Sequence, residues 1–302
     1  MKLSNLFTSI RVRGMALLAA CAMLATNAVG GTSFFDNNVP GISLGSVSGG
    51  SPNYWAVFAL SGGVSITDPG PFNNQWDVRG NVGIAGSGNL TMSASRIQGS
   101  LYIRTGGSQT LSGGANITNS PVYQDVPTNM LLNSAASNAN SASTSASALA
   151  NNWIGAGPTT VAANNVAVNL AIAAVANTTY VVHLTDLILS GASAVLTLSG
   201  NNAANVNYVI NVNRYFSLSS GAKVVLTGGL LPQNVLFNVQ QSPYSTYTYD
   251  ATLGGGSKVN GIILAPNRTV KLTGASEVQG EVIGKAVSLS GNSRVYNPLV
   301  SP

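Results

Sequence analysis

The chain has 302 residues, and only 7% of them are charged, against about 25% in an average soluble domain. Its net charge of +5 comes from 13 Lys and Arg against 8 Asp and Glu, with a single His. That excludes the Lys/Arg footprint of a nucleic-acid binder, the Glu/Lys rows of a coiled coil and a charged disordered tail, and it leaves little for acid–base catalysis.

Residues 1–30 read as a secretory signal. Lys2, Arg11 and Arg13 form a positive start, residues 15–25 (MALLAACAMLA) form an apolar run too short to span a bilayer, and small residues follow. Its removal lowers the net charge to about +2, so the basic balance says little about partners. Cys21 is the sole cysteine. Leu18-Ala19-Ala20-Cys21 resembles a lipoprotein processing box, but the apolar run continues through Ala22, Met23, Leu24 and Ala25. The reading is therefore ordinary secretion, with lipidation at Cys21 as the alternative. A secreted chain of this length buries enough core to fold without disulfides. Residues 31–53, rich in Gly, Ser, Asn and Pro, read as a flexible lead-in.

From residue 54 to 302 the sequence reads as one all-β domain. Short apolar runs such as Trp55-Ala56-Val57-Phe58, Leu187-Ile188-Leu189 and Val235-Leu236-Phe237 alternate with Gly, Ser and Asn turns. Two five-residue pieces recur. Val78-Arg79-Gly80-Asn81-Val82 returns as Val259-Asn260-Gly261-Ile262-Ile263, and Ile97-Gln98-Gly99-Ser100-Leu101 returns as Val278-Gln279-Gly280-Glu281-Val282. An apolar residue, Ser or Thr, then Gly recurs at Leu111, Leu189, Leu198, Leu226, Leu272 and Leu289. Repeats of this kind predict a solenoid of stacked coils. Strand alternation turns Leu196, Leu198, Phe216, Leu218, Val270, Leu272, Val287 and Leu289 inward, and leaves Ser, Thr and one Lys outward.

Residues 125–153 break this rhythm. Leu131, Ala135, Ala139, Ala142, Ala146, Leu149 and Trp153 fall three or four apart, which predicts a helix lying along the solenoid flank. Pro127 suits its first turn.

Candidate chemistry is sparse. Glu277 and Glu281 share strand parity, with Lys271 and Lys285 as possible partners, but Gly280 between them suggests a bend. That reads as a solvated charge patch. His183 and Asp186 lack a nucleophile elbow. The glycines of residues 83–88 lack the dinucleotide fingerprint, and scattered acids offer no transition-metal set. No catalytic residue, cofactor or metal is assigned. The candidate contact residues are the outward hydroxyls Thr197, Ser199, Thr227, Thr273 and Ser290, with Tyr247 and Tyr249 from a tyrosine-rich stretch. Regular Ser/Thr columns would form a flat, uncharged face matched to an ordered surface such as ice; Lys271 has the same outward parity and argues against full neutrality.

The stretch from Val259 to Asn267, continued by Val270-Lys271-Leu272-Thr273-Gly274 and Val278-Gln279-Gly280-Glu281-Val282-Ile283, resembles the C-terminal coils of the bacterial choice-of-anchor A surface proteins. The ice-binding-protein-like solenoids share a similar layout. The resemblance covers most of residues 54–298 and implies a right-handed β-solenoid with a long Ala/Ser-rich helix alongside. The C-terminal sequence Asn297-Pro298-Leu299-Val300-Ser301-Pro302 departs from the anchor expected of the first family. Together these features predict a non-enzymatic secreted or surface protein for adhesion, matrix or biofilm contact. Ice binding through a Ser/Thr-rich face is the alternative. The expected partner is an extracellular surface, matrix polymer or ice, with no nucleic acid and no transmembrane segment in the mature chain.

Overall fold

The computed structural model describes residues 55–68, 76–118, 122–153, 160–170, 174–240 and 249–297. The proposed signal, the lead-in, Cys21 and Tyr247 lie outside them. Every strand pairing is parallel, and the strands stack coil on coil. Each coil passes three flat faces in a fixed order. The first carries the helix, the second is lined with hydroxyls, and the third carries ion pairs.

The inward residues are those that alternation predicts. Leu196, Leu198, Phe216, Leu218, Val270, Leu272, Val287 and Leu289 are all buried in one continuous core. A parallel sheet closed on itself covers its apolar side completely, which suits the Val, Leu and Ile of these short strands. Corners are sharp. Gly274 and Gly291 hold φ of 60° and 62° where the hydroxyl face turns into the ionic face, a conformation that disfavours side chains with a Cβ.

The coils do not stack in chain order. Glu277–Ser290 pairs with Lys258–Leu272 on one side and with Trp55–Ala59 and Val64–Thr67 on the other. The last full coil therefore sits between the N-terminal coils and the rest. Residues 55–123 wind away from that junction, and the next described strand, Thr160–Asn164, pairs with Thr179–Ser190 far up the stack. The helix Val126–Ala148 makes the return. Its 23 residues span about 34 Å at 1.5 Å per residue, or roughly seven coils at about 4.8 Å.

The helix starts on Asp125, whose side chain accepts from the Thr128 amide at 2.8 Å. That hydrogen bond and the Thr128 side chain hold the Asp125 carboxyl below its ordinary range. Its buried seam is Leu132, Ala135, Ala139, Ala142 and Ala146. The expected span of 125–153 is too long at both ends, and Leu132 replaces Leu131 in the seam. Leu149 has extended backbone and caps the helix, and Trp153 packs partly buried against the solenoid core. Alanine periodicity carries on past the point where the chain must bend towards the next coil.

A polar ladder joins helix and solenoid. His183, Asn211 and Asn238 are stacked neighbours on the helix face. Asn238 donates to the Ser143 carbonyl at 3.0 Å and accepts from the Ser143 hydroxyl at 2.6 Å. Asn211 donates to the Ala146 carbonyl at 2.8 Å, and the His183 Nε2 lies 2.8 Å from the Leu149 carbonyl. Three helical residues rise about 4.5 Å, nearly one coil spacing. Positions 143, 146 and 149 therefore each meet the next coil.

Candidate functional site

The hydroxyl face is built from the outward residues of nine stacked strands. On one side of the junction, Ser288, Ser65, Thr91 and Thr110 form one column, and Ser290, Thr67, Ser93 and Ser112 form the next. Each column advances about 4.8 Å per coil, and the two columns stand about 6.7 Å apart along the strand. Strand pairing fixes both spacings, and buried Val, Leu, Ile and Met lie beneath the first three strands, whereas the end strand Gln109–Ser112 is exposed along its length.

On the other side of the junction the columns continue as Lys271 and Thr273, then Thr252, then Ser217 and Ser219. They end in Ile188 and Ser190, then Ala162 and Asn164. Lys271 is the one charged side chain in these columns, and its Nζ reaches an Asp250 oxygen at 2.5 Å.

A denser cluster edges this upper part. Asp186 takes two hydrogen bonds from Arg214, at 2.8 and 2.6 Å, one from the Tyr215 amide at 3.1 Å and one from Thr160 at 3.2 Å. Arg214 is the main reason the Asp186 carboxyl is held below its usual range. The pair sits beside a register shift between Leu184 and Asp186, so it fills the corner where the strand leaves the helix face. Tyr249 lies against Tyr215 with ring centroids 4.4 Å apart. Arg268 is buried at the same corner and donates to the carbonyls of Arg214, Asn213 and Tyr249. Burial pushes its guanidinium pKa down.

The ionic face is different in kind. Lys223, Lys258, Glu277 and Arg294 occupy one column, with Asp77 and Arg96 continuing it. Lys258 pairs with Glu277 at 3.1 Å. The neighbouring column runs Asn260, Gln279, Tyr296, Arg79 and Gln98, and the Arg79 guanidinium lies 5.3 Å from the centre of the Tyr296 ring.

The predicted contact residues are divided between these faces. Thr273 and Ser290 lie on the hydroxyl face, whereas Thr197, Ser199 and Thr227 lie on the ionic face. The same Leu-Ser/Thr-Gly motif ends strands at two different corners of a coil, so the motif alone does not distinguish them. Tyr249 packs on Tyr215. The outward Ser288 was not chosen as a contact residue, and neither were Ser65, Thr67, Thr91, Ser93, Thr110 and Ser112; Ser65, Thr67, Thr91 and Ser93 alternate with buried apolar residues, whereas Leu111, between Thr110 and Ser112, is 42% exposed. Finding them required extending the alternation rule to the N-terminal strands.

Glu277 and Glu281 do not share a face. Gly280, at φ 144°, turns the strand between them. Glu277 points out beside Lys258, while Glu281 is buried and accepts from Asn297 at 3.1 Å. Lys271 pairs with Asp250 rather than with either glutamate. His183 faces the helix end and Asp186 the opposite corner. Among the described residues, no three His, Cys, Asp or Glu side chains gather as a metal set, and no helix is long and apolar enough to cross a membrane.

The solved structure of a glycosylated ice-binding protein from an Arctic yeast is 19% identical, covers 82% of this chain and 92% of its own, and superposes with a TM-score of 0.50. An ice-binding protein from the Antarctic ascomycete Antarctomyces psychrotrophicus is also 19% identical, over 82% of this chain and 95% of its own, with a TM-score of 0.48. The domain of Shewanella frigidimarina ice-binding protein 1 is 14% identical over 80% and 93%, with a TM-score of 0.43. No curated protein matches the chain. Of the two families its motifs resemble, one has a model that matches, over residues 62–295, and the chain belongs to it: the ice-binding-like family.

Proposed function

We propose that this protein binds ice through its hydroxyl face, without catalysis. The observation that carries the reading is the pair of Ser/Thr columns at Ser288, Ser65, Thr91, Thr110 and at Ser290, Thr67, Ser93, Ser112. A crystal surface presents a repeating array of water, and a rigid repeating array of small neutral donors and acceptors engages it without desolvating charge. Family membership supports the same reading, and so does the shared fold of the ice-binding protein from an Arctic yeast. Ice binding thereby takes the place of the adhesion or matrix contact that the sequence suggested first.

The rest of the proposal follows from that task. The protein works outside the cytoplasm after loss of residues 1–30, and residues 31–53 lead into a single solenoid domain. We assign the solenoid the right hand, which parallel crossovers adopt in about 98% of cases. Ice-affinity partition of the purified chain tests the function. Enrichment in a slowly growing ice phase is expected, and exclusion from that phase at the level of an inert control protein would overturn the reading.

A further inference from the structure

The two parts of the hydroxyl face use their hydroxyls differently. Above the junction they bond to one another: Ser219 donates to Ser190 at 3.1 Å, and Thr252 donates to Ser217 at 3.1 Å. Below it, among the described residues, the hydroxyls of Ser288, Ser65, Thr91 and Thr110 have no hydrogen bond within the protein, nor do those of Ser290, Thr67 and Ser93. Ser112 alone of these columns turns back, donating to the Met92 carbonyl at 3.3 Å.

Composition changes at the same place. The lower columns are Ser or Thr at every position. The upper ones contain Lys271, Ile188 and Ala162. Lys271 and Asp250 are half-exposed, at 49% and 31% of their side-chain surfaces, so both ends of the pair stay hydrated. An ammonium holds its water tightly and has no place in a neutral water lattice. The Tyr215–Tyr249 and Arg214–Asp186 cluster then raises the edge of the upper coils.

We infer that ice contact is confined to the four lower coils, and that the Lys271–Asp250 pair is the boundary that limits its area. This rests on the proposed function and narrows it to a defined patch. The patch combines strands from residues 64–112 with one strand from near the C-terminus, joined only by the out-of-order stacking.

The test compares the purified chain with Thr91→Tyr, Ile188→Tyr and Lys271→Thr, each first shown to keep its β-sheet circular dichroism and melting temperature. Ice-affinity partition is the readout. Thr91→Tyr is expected to lower retention at least tenfold, Ile188→Tyr to change it less than twofold, and Lys271→Thr to raise it. Ser65→Tyr, between Ser288 and Thr91 in the same column, serves as the second interior variant if Thr91→Tyr misfolds. An equal loss in Ile188→Tyr and Thr91→Tyr would overturn the boundary while leaving ice binding intact. So would unchanged or lower retention in Lys271→Thr. A parent chain excluded from ice would overturn the function itself, and the boundary with it.

Discussion

The hydroxyl face and the ionic face are made by the same strands-and-corners rule on the same core, yet their outer surfaces have little in common. Inward, both carry buried Val, Leu and Ile. Outward, one has Ser65, Thr67, Thr91 and Ser93, and the other has Lys258, Glu277, Arg294 and Arg79. Folding therefore fixes the inner residues of each coil and leaves the outer ones open. Charge is concentrated where the solenoid faces water, and it is largely kept off the surface we assign to ice. The scarcity of charged residues in the sequence is thus unevenly spread, and its distribution sets apart the face we propose for contact with ice.

The sharpest way to break both faces together is to remove their common core. Phe237 is buried and packs on Phe216 at a centroid distance of 5.6 Å. Phe237→Ala is expected to cost about 3–5 kcal/mol, seen as a large fall in urea midpoint and the loss of both surfaces. Next comes the ladder that fixes the helix. Asn238→Ala strands the Ser143 hydroxyl and removes one of the two donors to the Asn211 Oδ1, leaving Gln240, and about 1–3 kcal/mol of destabilisation is expected. Ice retention of the variant that still folds should match the parent, because the helix covers neither face.

Smaller effects separate the faces. Glu277→Gln removes an exposed partner of Lys258 and should change stability by less than about 1 kcal/mol. The change should shrink further in high salt, while ice retention stays constant. At the rim of the hydroxyl face, Asp186 is held deprotonated by Arg214. The folded state then binds fewer protons there than the unfolded state, so this stabilisation is complete above the ordinary carboxylate pKa of about 3.9 and is lost as pH falls towards the lower folded value. The melting-temperature gap between the parent and Asp186→Asn should accordingly be wide at neutral pH and close under acid conditions. A gap that is the same at both pH values would show that the Arg214 pair is not what Asp186 contributes.

Much of the coil was legible in the sequence because its rules are local. Alternation placed Leu196, Leu198, Val270 and Leu272 inside, and alanine spacing placed Ala135, Ala139, Ala142 and Ala146 on the buried helix seam. Non-local facts were not legible. No local pattern says that Glu277–Ser290 lies between two distant parts of the chain, or that Asn211 and Asn238 meet the helix. The hydroxyl site lay between these cases. Ser290 and Thr273 were visible, but the columns they join depend on which coils become neighbours, and Thr227 and Ser199 carry the same motif on another face.

In the proposed function, ice meets the hydroxyl face and not the ionic face. Thr67→Tyr and Gln279→Tyr place the same bulky ring on an exposed strand position of the hydroxyl face and of the ionic face. Side-by-side ice-affinity partition of the two variants and the parent tests it most directly. Retention of Thr67→Tyr is expected to fall at least tenfold while that of Gln279→Tyr stays within twofold of the parent. A loss in Gln279→Tyr with Thr67→Tyr unchanged would contradict it.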